Sequence, residues 1–184
     1  MNAIEILTNE HGLIRRFLES LALAEEKLEN GEKPPRKFFE NAVQFARTFT
    51  DRFHHFKEEH VMFVRLAQAK GGAIDAQVEM LKYQHERGRK FVSQVANSLD
   101  GYEKGDPIKT TELLESMAAY ISLLRHHIHV EDHVFFPMVE KTLSSIEKDR
   151  VLEEFEKENM KCGEKAFEDC HKLVVDMGSL LVHM

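Results

Sequence analysis

RFHHFKEEHVMF (residues 52–63) and RHHIHVEDHVFFP (residues 125–137) are two versions of one pattern within a single chain of 184 residues. Each contains His-x-x-x-Glu, a spacing that stacks an imidazole and a carboxylate one turn apart on one face of a helix. No β alternation competes in either stretch, so both read as helix interiors. Aligning EEHVMF (residues 58–63) with EDHVFF (residues 131–136) makes His54 and Glu58 the counterparts of His127 and Glu131. The apolar stripe of the first stretch, Phe38, Ala42, Phe45, Phe49 and Phe56, instead brings His55 and Glu59 nearer the core. One inserted residue at the histidine pair, as in a π-bulge, reconciles the two registers, and such bulges favour functional sites. Both pairs therefore remain candidates.

Pro and Gly divide the chain around these stretches. A first helix is expected over residues 3–30, with Asn2 as N-cap and Glu5 completing a capping box. GEKPP (residues 31–35) ends it. A second helix covers 36–70 and stops at Gly71–Gly72, and a third covers 74–99. DGYEKGDP (residues 100–107) reads as a loop. A fourth helix covers 108–142, with Pro137 kinking or ending its last turns. Ser144 and Glu147 cap a fifth that reaches Met177. The expected fold is all-α: an up-down antiparallel four-helix bundle over residues 1–143 with an additional C-terminal helix in residues 144–184. That helix carries Leu152, Phe155, Ala166, Cys170 and Leu173 on one side. It is expected to pack on the bundle or on a partner subunit, as in a homodimer.

Polar residues interrupt the stripes where apolar ones belong. His11 falls among Ile4, Leu7, Ile14, Leu18, Leu21 and Leu28. His85 falls among Ile74, Val78, Leu81, Val92, Val95 and Leu99. His127 and Glu131 fall among Leu113, Met117, Tyr120, Leu124, Val134 and Met138. An unpaired buried carboxylate costs several kcal/mol, and a bound cation offsets that cost. A single inward histidine reads as hydrogen-bonded structure; several beside acids read as a metal site. Imidazole and carboxylate donors without thiolate suit iron or manganese better than structural zinc. His60, His126, His129 and His133 have helical phases that point elsewhere, and His171 and His183 read as surface. Tyr83 and Tyr120 read as core packing, and Arg52, Arg89 and Arg125 as solvated surface.

Composition limits the alternatives. A net charge of −7 gives no general attraction to nucleic acid or anionic membranes. No apolar run approaches the roughly 20 residues of a membrane span. The start, MNAIEILTNEHG, has no basic-then-apolar leader, so a cytoplasmic protein is expected. Thirteen Phe and no Trp point to a phenylalanine-rich core. Cys162 and Cys170, placed on one helix, would lie about 12 Å apart, beyond disulfide reach, and are expected to be reduced.

Four segments in order carry a resemblance over residues 1–143. They are NEHGLIRRF with His11, DRFHHFKEEHVMF, QHERGR with His85, and HIHVEDHVFFP, giving H…HxxxE…H…HxxxE. The sequence resembles the hemerythrin-like, HHE cation-binding family. The resemblance implies a bundle around two non-haem irons bridged by carboxylates. It carries the ligand roles onto His11, His54, Glu58, His85, His127 and Glu131, with His55 as the position of an extra ligand in some relatives. Asp132 is a lesser candidate, because oxygen-carrying hemerythrins use a His-x-x-x-x-Asp spacing there. Those proteins also place two histidines four apart on the third helix, whereas this chain has Arg89 at the second position. Arginine has no lone pair for a metal, so the coordination sphere must differ or be completed elsewhere.

The expected function is a di-iron protein that binds or reacts with a small gaseous or peroxide ligand (oxygen, peroxide or nitric oxide), an oxidoreductase if it turns over. The alternative is an iron- or gas-responsive sensor or interaction module whose last helix reports occupancy.

Overall fold

The structure is a computed structural model that describes residues 1–70, 74–163 and 165–182, and among these all regular structure is helical. Six helices follow in order: α1 (Ala3–Glu29), α2 (36–70), α3 (Asp75–Glu103), α4 (107–142), α5 (Ser145–Cys162) and α6 (Ala166–Val182). The expected stop at Gly71–Gly72 and His183 lie outside the described residues. Among the described residues no helix is long and apolar enough to cross a membrane.

Local chemistry accounts for the helix ends. Asn2 and Glu5 form a reciprocal capping box at α1, and Ser144 and Glu147 form another at α5. At the end of α1, Gly31 takes φ 79° while Gly31 N–H donates to Leu28 and Glu32 N–H donates to Lys27. This is a Schellman turn, and the left-handed conformation is why glycine stands there. Gly105, also at φ 79°, closes α3 in the same way. Asp106 then caps α4, with Pro107 at its first turn.

Three expectations about the elements are corrected. The stretch 100–107 is mostly helix: α3 runs on to Glu103 because Tyr102 is buried, stacks edge-on with Phe39 and donates its hydroxyl to the Pro34 carbonyl at 2.6 Å. Tertiary packing there overrides loop-like composition. The single C-terminal helix is two, broken at Gly163 with φ 95°. Cys162 and Cys170 accordingly sit on different helices, and both are free. The fourth helix ends at Thr142 as expected, with Pro137 just beyond a π-helical turn at Glu131–Phe135.

Alpha-helical winding gives way to π-helix in three places, Ala46–His55 and Glu58–Met62 in α2 and Glu131–Phe135 in α4. Each wider turn advances the register, because a π-helix spends more residues per turn than an α-helix. The stripe positions Phe56 and Val134 are consequently exposed, while Phe135 and Phe136 turn inward. Tyr83, read as core, is also exposed.

The helices pack α1 against α4, α4 against α3, α3 against α2 and α2 against α1. Apolar side chains form two separate clusters. One gathers Phe17, Phe45, Phe49, Met117 and Tyr120; the other gathers Leu7, Met62, Phe63, Leu81 and Phe136. α6 adds Val174, Met177 and Leu181 to the first, and α5 adds Val151 and Phe155 to the second. Each such buried side chain is worth about 1.5–3 kcal/mol relative to exposure. Between the two clusters lies a polar layer.

Candidate metal centre

That layer contains His11 from α1, His54, His55 and Glu58 from α2, His85 from α3, and His127 and Glu131 from α4, all buried. α2 contributes three of the seven because of its π-helical winding. On a regular α-helix His54 and His55 diverge by about 100°; here both are buried together with Glu58. The choice between the two registers therefore dissolves for the histidines. Glu59, the carboxylate of the second register, does not join the layer; its oxygen lies behind His85 and accepts from His85 Nδ1 at 2.7 Å.

Two groups of donor atoms form within the layer. His55, Glu58, His85 and His127 converge as one, and His11, His54, Glu58 and Glu131 as the other, with each group's atoms within 4.8 Å of one another. Glu58 belongs to both. Its oxygens lie 3.6 Å from His54 Nε2 and 3.4 Å from His85 Nε2. Glu131 Oε2 lies 3.2 Å from both His11 Nε2 and His127 Nε2. Each carboxylate thus touches imidazoles of both groups.

Outward-facing hydrogen bonds orient the rings. His11 Nδ1 bonds Asp132 Oδ1 at 2.8 Å, His54 Nδ1 bonds Glu10 Oε2 at 2.9 Å, and His127 Nδ1 bonds Gln84 Oε1 at 2.7 Å. An acceptor at Nδ1 assigns the proton there and leaves the lone pair on the inward Nε2, the arrangement a metal requires. Asp132, a lesser ligand candidate from sequence, serves as such an acceptor. His55 is the exception, since its Nδ1 lies 4.0 Å from Asp51 and has no hydrogen-bond partner.

Whether a cation fits can be judged from what the inward atoms lack. His11 Nε2, His54 Nε2 and all four oxygens of Glu58 and Glu131 are buried with no hydrogen-bond partner in the protein. Each such orphan costs about 1–3 kcal/mol, and more when charged. His85 Nε2 and His127 Nε2 stand 3.1 Å apart, and with both Nδ1 atoms donating outward two lone pairs face each other. Burial, then the adjacent Glu131, pushes the Glu58 carboxyl well above its ordinary range, and burial does the same to Glu131. Burial and neighbouring imidazoles push His54, His55 and His127 well below theirs. Neutral histidines, orphaned carboxylates and opposed lone pairs together are the donor set of a positive ion.

Sequence reading missed Glu10 and Lys57. Both are buried, and their side chains are ion-paired. Lys57 also sits 3.8 Å from the Phe53 ring and bonds Asn159 Oδ1 of α5 at 3.0 Å. Burial raises the Glu10 carboxyl to about 7 against the opposing pull of Lys57. In sequence, Lys57 and Glu10 sit in ordinary charged clusters, KEE and NEH, and only the fold brings them together. Arg89, read as solvated, bonds Asp51 and Glu59 at 2.7 Å each. Burial opposes ionisation of Glu59, yet the bonds from His85 and Arg89 hold its carboxyl at about 2. His60, His126, His129 and His133 are exposed and stay out of the layer.

Known proteins place this layer in context. The chain is 29% identical over 178 residues to the uncharacterized protein Rv1995 of Mycobacterium tuberculosis, covering 96% of this chain and 69% of that protein. The uncharacterized protein Mb2018 of Mycobacterium bovis matches to the same extent. The iron-sulfur cluster repair protein YtfE of Yersinia pseudotuberculosis is 26% identical over 139 residues, 72% of this chain and 62% of that protein. No solved structure matches the chain significantly. Residues 2–139 match the Hemerythrin HHE cation binding domain, which takes in all seven side chains of the layer, and the chain belongs to that family.

Proposed function

We propose that the polar layer holds two non-haem irons and that the protein binds or reacts with a small oxidant such as oxygen, peroxide or nitric oxide. The observation that carries this reading is the pair of four-residue donor groups that share Glu58. Two groups with a common carboxylate favour two cations held side by side, and the unshared His11, His54 and His55, His85, His127 divide between them. On this reading α1 to α4 form an up-down bundle with α5 and α6 as its extension. The iron named for the YtfE relatives adds weight to iron over manganese. Because the chain spans 62% of that relative, the repair role itself is not carried over.

Bound iron would supply electrons and an exchangeable position for the oxidant. The protein's part is to keep the imidazoles neutral, aim their Nε2 atoms inward and exclude bulk water with Phe63, Phe135 and Phe136, which are buried beside the layer. Two free cysteines fit a reducing cytoplasm. Anaerobic reconstitution followed by metal analysis tests the proposal. Both irons per chain and a charge-transfer band with peroxide are expected; iron well under one per chain ends it.

A second reading, an occupancy sensor, draws on the connection from His54 through Glu10 and Lys57 to Asn159 of α5. Hydrogen exchange of α5 in apo and loaded protein separates the two. Identical protection with rapid peroxide turnover favours the oxidoreductase.

A further inference from the structure

A cleft reaches the layer from outside. It measures about 290 Å³, lies between α2, α3 and α4, and includes His55 and His85 in its lining. A larger cleft of about 710 Å³ near α5 is lined by Glu10 but by no histidine of the layer. Another of about 350 Å³ has the outer His129 and His133 in its lining and no histidine of the layer.

Three polar atoms on residues of the first cleft are buried and have no hydrogen-bond partner: Thr50 Oγ1, Tyr120 Oη and His55 Nδ1. Thr50 and Tyr120 are 2% and 4% exposed, so water does not satisfy them at the surface. A site needed only for packing would be served by Val and Phe. The Thr50 and Tyr120 hydroxyls interact with each other and with no other protein group, so this pair beside the donor layer still has a hydroxyl proton to give to something that enters. The lining also carries Arg47, Arg52 and Arg89 against the single carboxylate of Asp51. In a chain of net charge −7, that local excess of positive charge favours an anionic or strongly hydrogen-bond-accepting visitor.

We propose that this cleft is the ligand notch of the centre, in which the Thr50 and Tyr120 hydroxyls donate to a small anionic or peroxidic ligand of two or three heavy atoms lying beside His55 and His85. The inference rests on the metal-centre reading and deepens it by naming the side of entry and the donors. Thr50 lies one π-turn before His55 on α2 and Tyr120 comes from α4, so the notch is assembled by two helices that also supply the layer. The cleft reaches the layer on the His55 and His85 side; on the other side Phe136 stacks 5.6 Å from His11 and the Glu10–Lys57 pair lies against His54.

Azide is the probe, titrated optically into iron-loaded protein, with iron content measured on every sample. Thr50→Val and Tyr120→Phe keep the shape and remove one hydroxyl each. Each is expected to weaken azide binding by about fivefold, and the double variant by more, with iron content unchanged. Arg52→Glu, at the exposed rim, is expected to slow azide association at low salt and to lose that effect at high salt. Unchanged azide affinity in both hydroxyl variants, with full iron content, overturns the notch while leaving the metal centre standing. Wild-type protein that takes up no iron overturns the underlying reading instead. Should Tyr120→Phe fail to fold, Thr50→Val decides alone.

Discussion

The two halves of the polar layer use the same donor chemistry but are held differently. Around His11 and His54, both outward acceptors are carboxylates, Asp132 and Glu10, and each is itself anchored by a cation, Arg15 and Lys57. Around His55, His85 and His127 the acceptors are one carboxylate, one neutral amide and, for His55, none within hydrogen-bond reach. The first half is backed by α5, and the cleft beside it is lined by Glu10 but by none of its imidazoles; the cleft of the second is lined by His55 and His85. Carboxylate-backed imidazoles are firmer and more basic ligands. The difference between the halves lies in the residues behind the imidazoles, most of all in the unbacked His55.

Removing what the halves share should have the greatest effect. Glu58→Ala is expected to strip iron from both, lowering affinity by more than ~100-fold, the upper end of what an outer partner alone costs; metal analysis after desalting checks it. Retention of one iron would show that the halves are independent. Next, Lys57→Met leaves Glu10 buried without its partner and should destabilise the protein by about 3–5 kcal/mol in urea unfolding. The double variant Lys57→Met with Glu10→Gln should recover much of that loss, since removing both charges avoids a lone buried one. Full stability of the single variant would break the picture of a locked half.

Glu59→Gln tests the open half. It weakens the His85 and Arg89 bonds, and is expected to lower metal affinity about 10–100-fold for one iron of the two, seen as a biphasic chelation curve. A monophasic curve would mean that the halves release together. Smallest is Asn159→Ala, which removes a hydrogen bond to a charged group and should cost roughly 1.5 kcal/mol in thermal or urea unfolding, with iron content intact.

Legibility followed the range of the interactions. Capping at Asn2 and Ser144 was readable because the partners are three residues apart. His-x-x-x-Glu and the interrupted stripes were readable because a helix repeats locally. The Glu10–Lys57 pair joins residues 47 apart, and nothing near either one signals the other. The stripe logic failed at Phe56 and Val134, where the period changes within the helix in a way a fixed 3.6-residue repeat cannot express; Tyr83, off the stripe and read as core packing, is exposed as well. Gly163 was hidden for another reason: an isolated glycine within a helical pattern is usually tolerated, and only its φ of 95° marks the break.

The wide winding over residues 46–55 has a consequence for how relatives are compared. Deleting one residue there would let α2 recover ordinary α-geometry, because the wide turn absorbs the extra residue while the turns on either side keep their relative facing. The Phe38 to Phe49 face would still find its cluster, but only one imidazole of the adjacent pair would then look inward. A single-position gap at this place in an alignment therefore counts ligands, and should be scored as altered chemistry, not as drift in a loop.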